Sequence, residues 1–172
     1  MNKRWNLGGF TLVELIVVIG IIGILATLGI GSYTNIQKKA RETKILSDLG
    51  EIKKAIESAR ITSGKTLGQI TGNYCSACSA CWGAGDLRNV PNSHLCAVRW
   101  LNAVTKISAQ GFIGIEDIRR DSWGSPYWLD ENDGEWVANI CRIDNIASAG
   151  PDGIASTADD IYIRLKPISS GC

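Results

Sequence analysis

With 172 residues, the chain has room for one globular domain beside an anchor. Its 18 basic and 17 acidic side chains leave a net charge of +1 and form no basic stripe, which excludes nucleic acid as the main partner. A single histidine, no Gly-x-Ser-x-Gly and no His-Glu-x-x-His leave no hydrolase constellation, so the chain reads as a non-enzyme.

Residues 1–9 form a short leader carrying Lys3 and Arg4. Without those two cations the balance becomes 16 basic against 17 acidic side chains. An apolar run follows from Phe10 to Ile30, 21 residues in which Glu14 is the only charge. As a helix it would reach about 31 Å, one bilayer crossing. A Sec-type signal would be cut after its apolar run. Here the natural cut lies before it, between Gly9 and Phe10. A carboxylate in lipid costs about 3 kcal/mol on insertion scales, so Glu14 is expected to reach the interface or to pair with a cation on a neighbouring chain. Gly9, Phe10, Thr11, Leu12 and Glu14 together resemble the type IV prepilin family. The resemblance implies cleavage by a prepilin peptidase, methylation of the new Phe10 amine, and a pairing of Glu14 with the amine of the adjacent subunit during assembly.

Polar residues Ser32–Arg41 place Lys38, Lys39 and Arg41 at the outer interface. Beyond them Ile45, Leu49, Ile52, Ile56 and Ala59 recur at helical spacing, joined by Leu46 and Ala55. No proline precedes Pro91, so one helix from about Phe10 to Arg60 is predicted, roughly 76 Å long. Gly20, Gly23, Gly29 and Gly31 weaken it or serve small-residue packing between helices. The resulting divisions are 1–9 leader, 10–30 transmembrane and filament-core helix, 31–62 amphipathic half of the same helix, and 63–172 globular head.

Six cysteines, Cys75, Cys78, Cys81, Cys96, Cys141 and Cys172, lie beyond the apolar run. Leader-inside orientation places them on the oxidising side, where disulfides persist. Fifteen pairings are open, with Cys141–Cys172 favoured because both belong to the β-rich C-terminal part. Cys75, Cys78, Cys81 and Cys96 also have the spacing of a zinc or iron–sulfur site. The cysteine loop is expected over Thr71–Pro91, starting from a helix end at Ser63-Gly64-Lys65. A second helix is predicted over Ser93–Ala109 with Leu95, Val98, Leu101, Val104 and Ile107 as its apolar face. His94 is read as a cap or surface residue, and Trp100 as packing in the core or against a disulfide. Tyr127-Trp128-Leu129 reads as a strand turned at Asp133-Gly134 into a return strand, Glu135–Ala138. Asp130–Gly134 lacks the spacing of a calcium loop and reads as a solvated hairpin tip. Trp123, Tyr127, Trp128 and Trp136 are expected to pack one sheet face on the long helix, or to offer a sugar platform.

Asp152, Asp159 and Asp160 return to one short loop through Pro151-Asp152-Gly153 and Ser156-Thr157. Carboxylates so placed are either an ordinary acidic surface or a cage for a hard cation. Asp121-Ser-Trp-Gly-Ser-Pro-Tyr127, Ser148-x-Gly-Pro-Asp-Gly153 and Asp159-Asp160-Ile161 are similar to the major pseudopilin of type II secretion systems. That resemblance implies Ca²⁺ held by Asp152, Asp159 and Asp160 with the Ala149 carbonyl. It further implies an α+β pilin-like fold, a long N-terminal transmembrane and stalk helix packed on a small antiparallel sheet. The expected protein is a structural filament subunit, anchored once in the cytoplasmic membrane with its head outside. It would assemble with itself, other pilin-like subunits and an inner-membrane platform to support type II secretion. The alternative is a type IV pilin for adhesion, motility or DNA uptake. Asp121-Ser-Trp-Gly, where the family has Asp-Pro-Trp-Gly, and the cysteine loop depart from the pattern.

Overall fold

Helix α1 (Leu12–Ser63) opens on a reciprocal capping box. Thr11 Oγ1 accepts the Glu14 N–H at 3.3 Å, and Glu14 Oε2 accepts the Thr11 N–H at 2.8 Å. The helix closes at Gly64, whose φ of +67° lets its N–H reach the Arg60 carbonyl at 2.8 Å. The computed structural model describes residues 9–78, 80–111, 114–135, 141–168 and 172, with the backbone alone for 28–32.

Two units divide the chain, residues 1–40 and 41–172. In the first, every large apolar side chain from Leu12 to Leu25 is at least 49% exposed. One copy of this segment has no core of its own. Among the described residues, no helix is long and apolar enough to cross a membrane; the expected span runs on into residues 28–32, whose side chains are not described.

In the second unit the α1 stripe Ile45, Leu49, Ile52, Ala55, Ile56 and Ala59 is fully buried. Leu46, expected on that face, is 53% exposed, because one residue past Ile45 turns it about 100° away. The stripe packs against α2 (Leu67–Thr71), α3 (Leu95–Ser108) and one sheet face in a single core. Sequence reading missed α2, which lies between the end of α1 and the expected cysteine loop. Its signal is Thr66-x-x-Gln69, a capping box with bonds of 3.4 and 3.0 Å, followed by Gly72 at φ +69°. His94 caps α3 as expected, its Nδ1 accepting the Cys96 N–H at 3.3 Å. The buried face of α3 is Cys96, Ala97, Trp100, Ala103, Val104 and Ile107, rotated from the expected one, and Leu95 is exposed. Trp100 ring burial and the Cys81–Cys96 bridge set that rotation.

Strands β1 (Trp128–Asp130), β2 (Asp144–Ser148) and β3 (Ile161–Leu165) form an antiparallel sheet in chain order. Leu129 pairs with Ile146 and Ile146 with Ile163. β1 takes Asp144–Ser148 as its partner, and residues 136–138 of the expected return strand lie outside the described residues. The single aromatic cluster is corrected. Successive strand residues face opposite ways, so Tyr127 joins the α1 core with Trp123, while Trp128 packs behind the sheet against Trp82, rings 5.9 Å apart. Trp136 lies outside the described residues. No joint sugar platform forms from Trp123, Tyr127 and Trp128.

Candidate functional site

The acidic loop begins where β2 ends. Asp121 organises its approach: Oδ1 accepts the Trp123 and Ser125 N–H groups, both at 2.9 Å, and Oδ2 accepts the Ser148 hydroxyl at 2.6 Å. Burial pushes the Asp121 carboxyl above its ordinary pKa. Ser148 Oγ in turn accepts the Gly150 N–H at 3.1 Å. The Asp121-x-Trp-Gly motif is thereby the support of the loop. At Gly150, φ +66°, any Cβ would collide with the Asp159 carbonyl oxygen, so glycine is what lets the two ends of the loop touch. Gly153, φ +72°, is the same kind of position against Asp86 and Arg88.

The three expected ligands fall side by side but turn to local donors. Asp159 Oδ2 accepts the Asp152 N–H at 3.1 Å, and Asp152 Oδ1 accepts the Ile154 N–H at 2.7 Å. Asp160 Oδ2 accepts the Ser156 N–H at 2.8 Å, and Thr157 Oγ1 donates to Asp159 Oδ1 at 2.7 Å. Partial burial raises the Asp160 pKa, whereas the Thr157 hydroxyl holds Asp159 low. Oxygens from all three do not come within 4.8 Å of one another, and Ala149 is buried. The donor set is hard oxygen throughout, which fits Ca²⁺ chemistry once a carboxylate swings from its N–H partner. Beside the loop, Arg88 donates to the Pro151 carbonyl at 3.1 Å and chelates Asp86, whose carboxyl it lowers to about 2.

The second acidic turn, Asp130–Gly134, overturns the solvated-tip expectation. Glu131, Asn132 and Asp133 are buried. Buried Asp144 accepts the Asn132 and Asp133 N–H groups at 2.6 and 2.7 Å and is ion-paired to buried Arg60. Arg60 also donates to the Lys166 carbonyl at 3.0 Å, and Asp133 Oδ2 accepts the Ile168 N–H at 2.7 Å. Glu131 accepts the Ser76 N–H and hydroxyl at 2.8 and 2.6 Å. Burial raises the pKa of both Glu131 and Asp144. Sequence reading missed this hub; its one trace is a charged residue, Arg60, directly after the apolar stripe of α1.

All six cysteines are bridged: Cys75–Cys78, Cys81–Cys96 and the favoured Cys141–Cys172. The four-thiolate alternative is overturned, because Cys81 and Cys96 consume each other and leave Cys75 to Cys78. At the other end of the chain, Gly9 and Phe10 are exposed ahead of α1, Phe10 by 88%, and Glu14 is engaged by Thr11 of its own chain.

No protein-family model matches the chain, and no solved structure does. Among curated proteins, the type IV major fimbrial protein FimA of Dichelobacter nodosus is 39% identical over 61 residues, 36% of this chain and 38% of FimA. The chain thus spans less than half the length of these fimbrial relatives. The match to the type II secretion system core protein G of Escherichia coli K12 is 31% over 153 residues, 89% of this chain and 88% of the relative. The Klebsiella pneumoniae core protein G is 30% identical over 155 residues, 89% and 91% of the two chains. Identity sustained over nearly the whole length of both partners, on a helix-plus-sheet head, places the chain in the pilin and pseudopilin family, with the type II secretion system core protein G.

Proposed function

We propose that the chain is a structural, non-enzymatic subunit of a membrane-anchored pseudopilus that supports type II protein secretion. The observation that carries this reading is the near full-length likeness to core protein G, where the fimbrial likenesses cover about a third of the chain. The uncovered apolar surface of α1 supports self-assembly: it exceeds what an isolated soluble chain can leave in water, so lipid or neighbouring copies must cover it. Before assembly residues 10–30 cross the cytoplasmic membrane with the head outside. Prepilin peptidase cuts between Gly9 and Phe10, and an inner-membrane platform adds subunits. Glu14, held by Thr11 in the single chain, exchanges that partner for the Phe10 amine of the next copy. An adhesion or motility pilin is the competing assignment, favoured by the fimbrial matches.

A deletion strain separates the two. Loss of exported enzymes from the medium with normal surface motility and attachment is the expected outcome. Normal export with lost motility would transfer the protein to the pilin reading. An N-terminal mass beginning elsewhere than Phe10 would remove the processing step.

We also propose one Ca²⁺ in the acidic loop, held by Asp152, Asp159 and Asp160 with the Ala149 carbonyl. It rests on an all-oxygen donor set and on three carboxylates gathered in one loop. Bound there, the ion would neutralise those carboxylates and pin the two ends of the loop.

A further inference from the structure

We infer that the Cys75–Cys78 pair, when reduced, forms with Asp130 a three-ligand site for a zinc-class metal ion. The Sγ atoms of Cys75 and Cys78 and a carboxylate oxygen of Asp130 all lie within 4.8 Å of one another. Cys75 Sγ stands 3.3 Å from Asp130 Oδ1. Asp130 is aimed: its other oxygen accepts the Asn132 side-chain N–H at 2.7 Å, which leaves Oδ1 toward the sulfurs. Asp130 lies 55 positions from Cys75, so the spacing of the cysteines does not announce it as the third ligand.

The scaffold does not depend on the bridge itself. Between the two cysteines, Ser76 is tied to Glu131 by two bonds of 2.8 and 2.6 Å, and the Ala77 N–H donates to the Leu129 carbonyl at 2.9 Å. Just beyond, the buried Cys81–Cys96 bridge anchors the loop to α3. Opening Cys75–Cys78 therefore leaves both sulfurs beside Asp130. Cys78 is exposed, so a thiolate can attack its sulfur, whereas both sulfurs of Cys81–Cys96 are buried. A dithiol reductant supplies two electrons and two protons: the Cys75–Cys78 bond breaks, the reductant closes its own disulfide, and two thiols remain. Metal binding then releases both thiol protons. Two thiolates with one carboxylate select zinc-class ions over Ca²⁺ or Mg²⁺, and three protein ligands leave the fourth tetrahedral position to water. Its ligands differ from those proposed for the acidic loop, although Asp130 lines a cavity together with Thr157 and Asp160.

The test uses the full chain in detergent, treated with limiting dithiol, freed of reductant and titrated with Co²⁺ as a spectroscopic substitute for zinc. Alkylation and peptide mapping should label Cys75 and Cys78 while Cys81 and Cys96 stay bridged. One Co²⁺ per chain should then bind with a thiolate charge-transfer band that Zn²⁺ erases. Asp130→Asn should weaken binding about tenfold or more, and Cys78→Ser, at an exposed position, should abolish the band with tryptophan fluorescence unchanged. Cys141→Ser should leave the band intact. The inference is overturned by equal labelling of Cys81 and Cys96, by no band with both thiols free, by undiminished affinity in Asp130→Asn, or by loss of the band in Cys141→Ser.

Discussion

Asp130–Gly134 and Asp152–Asp160 are both acidic, glycine-bearing turns beside strand ends, yet they meet opposite fates. In the first, Asp144 arrives from β2 and Arg60 from the end of α1, 84 residues upstream, and the two are buried together, while Glu131 is buried against the Ser76 donors. In the second, backbone N–H groups and the Thr157 hydroxyl serve the carboxylates, which stay half-exposed. The difference teaches that burial of a carboxylate is decided by whether the fold delivers distant partners to it, as it brings Arg60 to Asp144, Ser76 to Glu131 and Ser148 to Asp121. Charge density in the turn itself does not decide it.

The largest effect that would break this contrast is at the hub. Asp144→Ala strands the buried Arg60 guanidinium and two backbone N–H groups, and should destabilise the chain by about 3–5 kcal/mol. Chemical unfolding followed by tryptophan fluorescence reads it. A loss below about 1 kcal/mol would place the ion pair among surface bridges. At the acidic loop, calcium should raise stability by about 2.7 kcal/mol at a hundredfold excess over Kd. Asp159→Ala should erase that difference while leaving the calcium-free melting curve nearly in place. An unchanged wild-type curve with and without EGTA would mean the loop holds no ion. Gly150→Ala should cost about 1–3 kcal/mol, since alanine must hold a positive φ and push the Asp159 backbone away. If it costs nothing, the two ends of the loop do not touch in solution.

The smallest effect concerns pH. Burial raises the Glu131 pKa in the folded chain above its ordinary value of 4.5. A carboxyl raised in this way contributes stability that is full below the unfolded pKa and fades as pH rises through the folded one. Glu131→Gln, which cannot ionise, should therefore gain relative to wild type as pH climbs above the ordinary carboxyl value of 4.5. A difference in melting temperature that is flat from pH 4 to 7 would show that the two Ser76 donors already offset the burial.

Much of the architecture was legible from local pattern. The 3.6-residue period of Ile45–Ala59 announced the buried stripe of α1, Gly64 its end, and the apolar periodicity near residue 100 announced α3. Gly9, Phe10, Thr11, Leu12 and Glu14 carried the family assignment that the near full-length matches bear out. The strand reading found β1 but not its partner β2, which is remote. Asp133-Gly134 looked like a hairpin turn, but the pairing of β1 is set by Leu129 and Ile146 sharing the core face, which a two-residue turn does not specify.

Sequence by itself determined what depends on neighbours in the chain: the helix and its caps, the apolar segment from Phe10, and the presence of six cysteines and two acidic turns. Only the tertiary structure decided which turn is buried, which cysteines meet, and that Asp130 faces Cys75. Periodicity and turn propensity act over a few residues. A buried ion pair or a disulfide partner is chosen by packing, after chain segments tens of residues apart have been brought within a few ångströms.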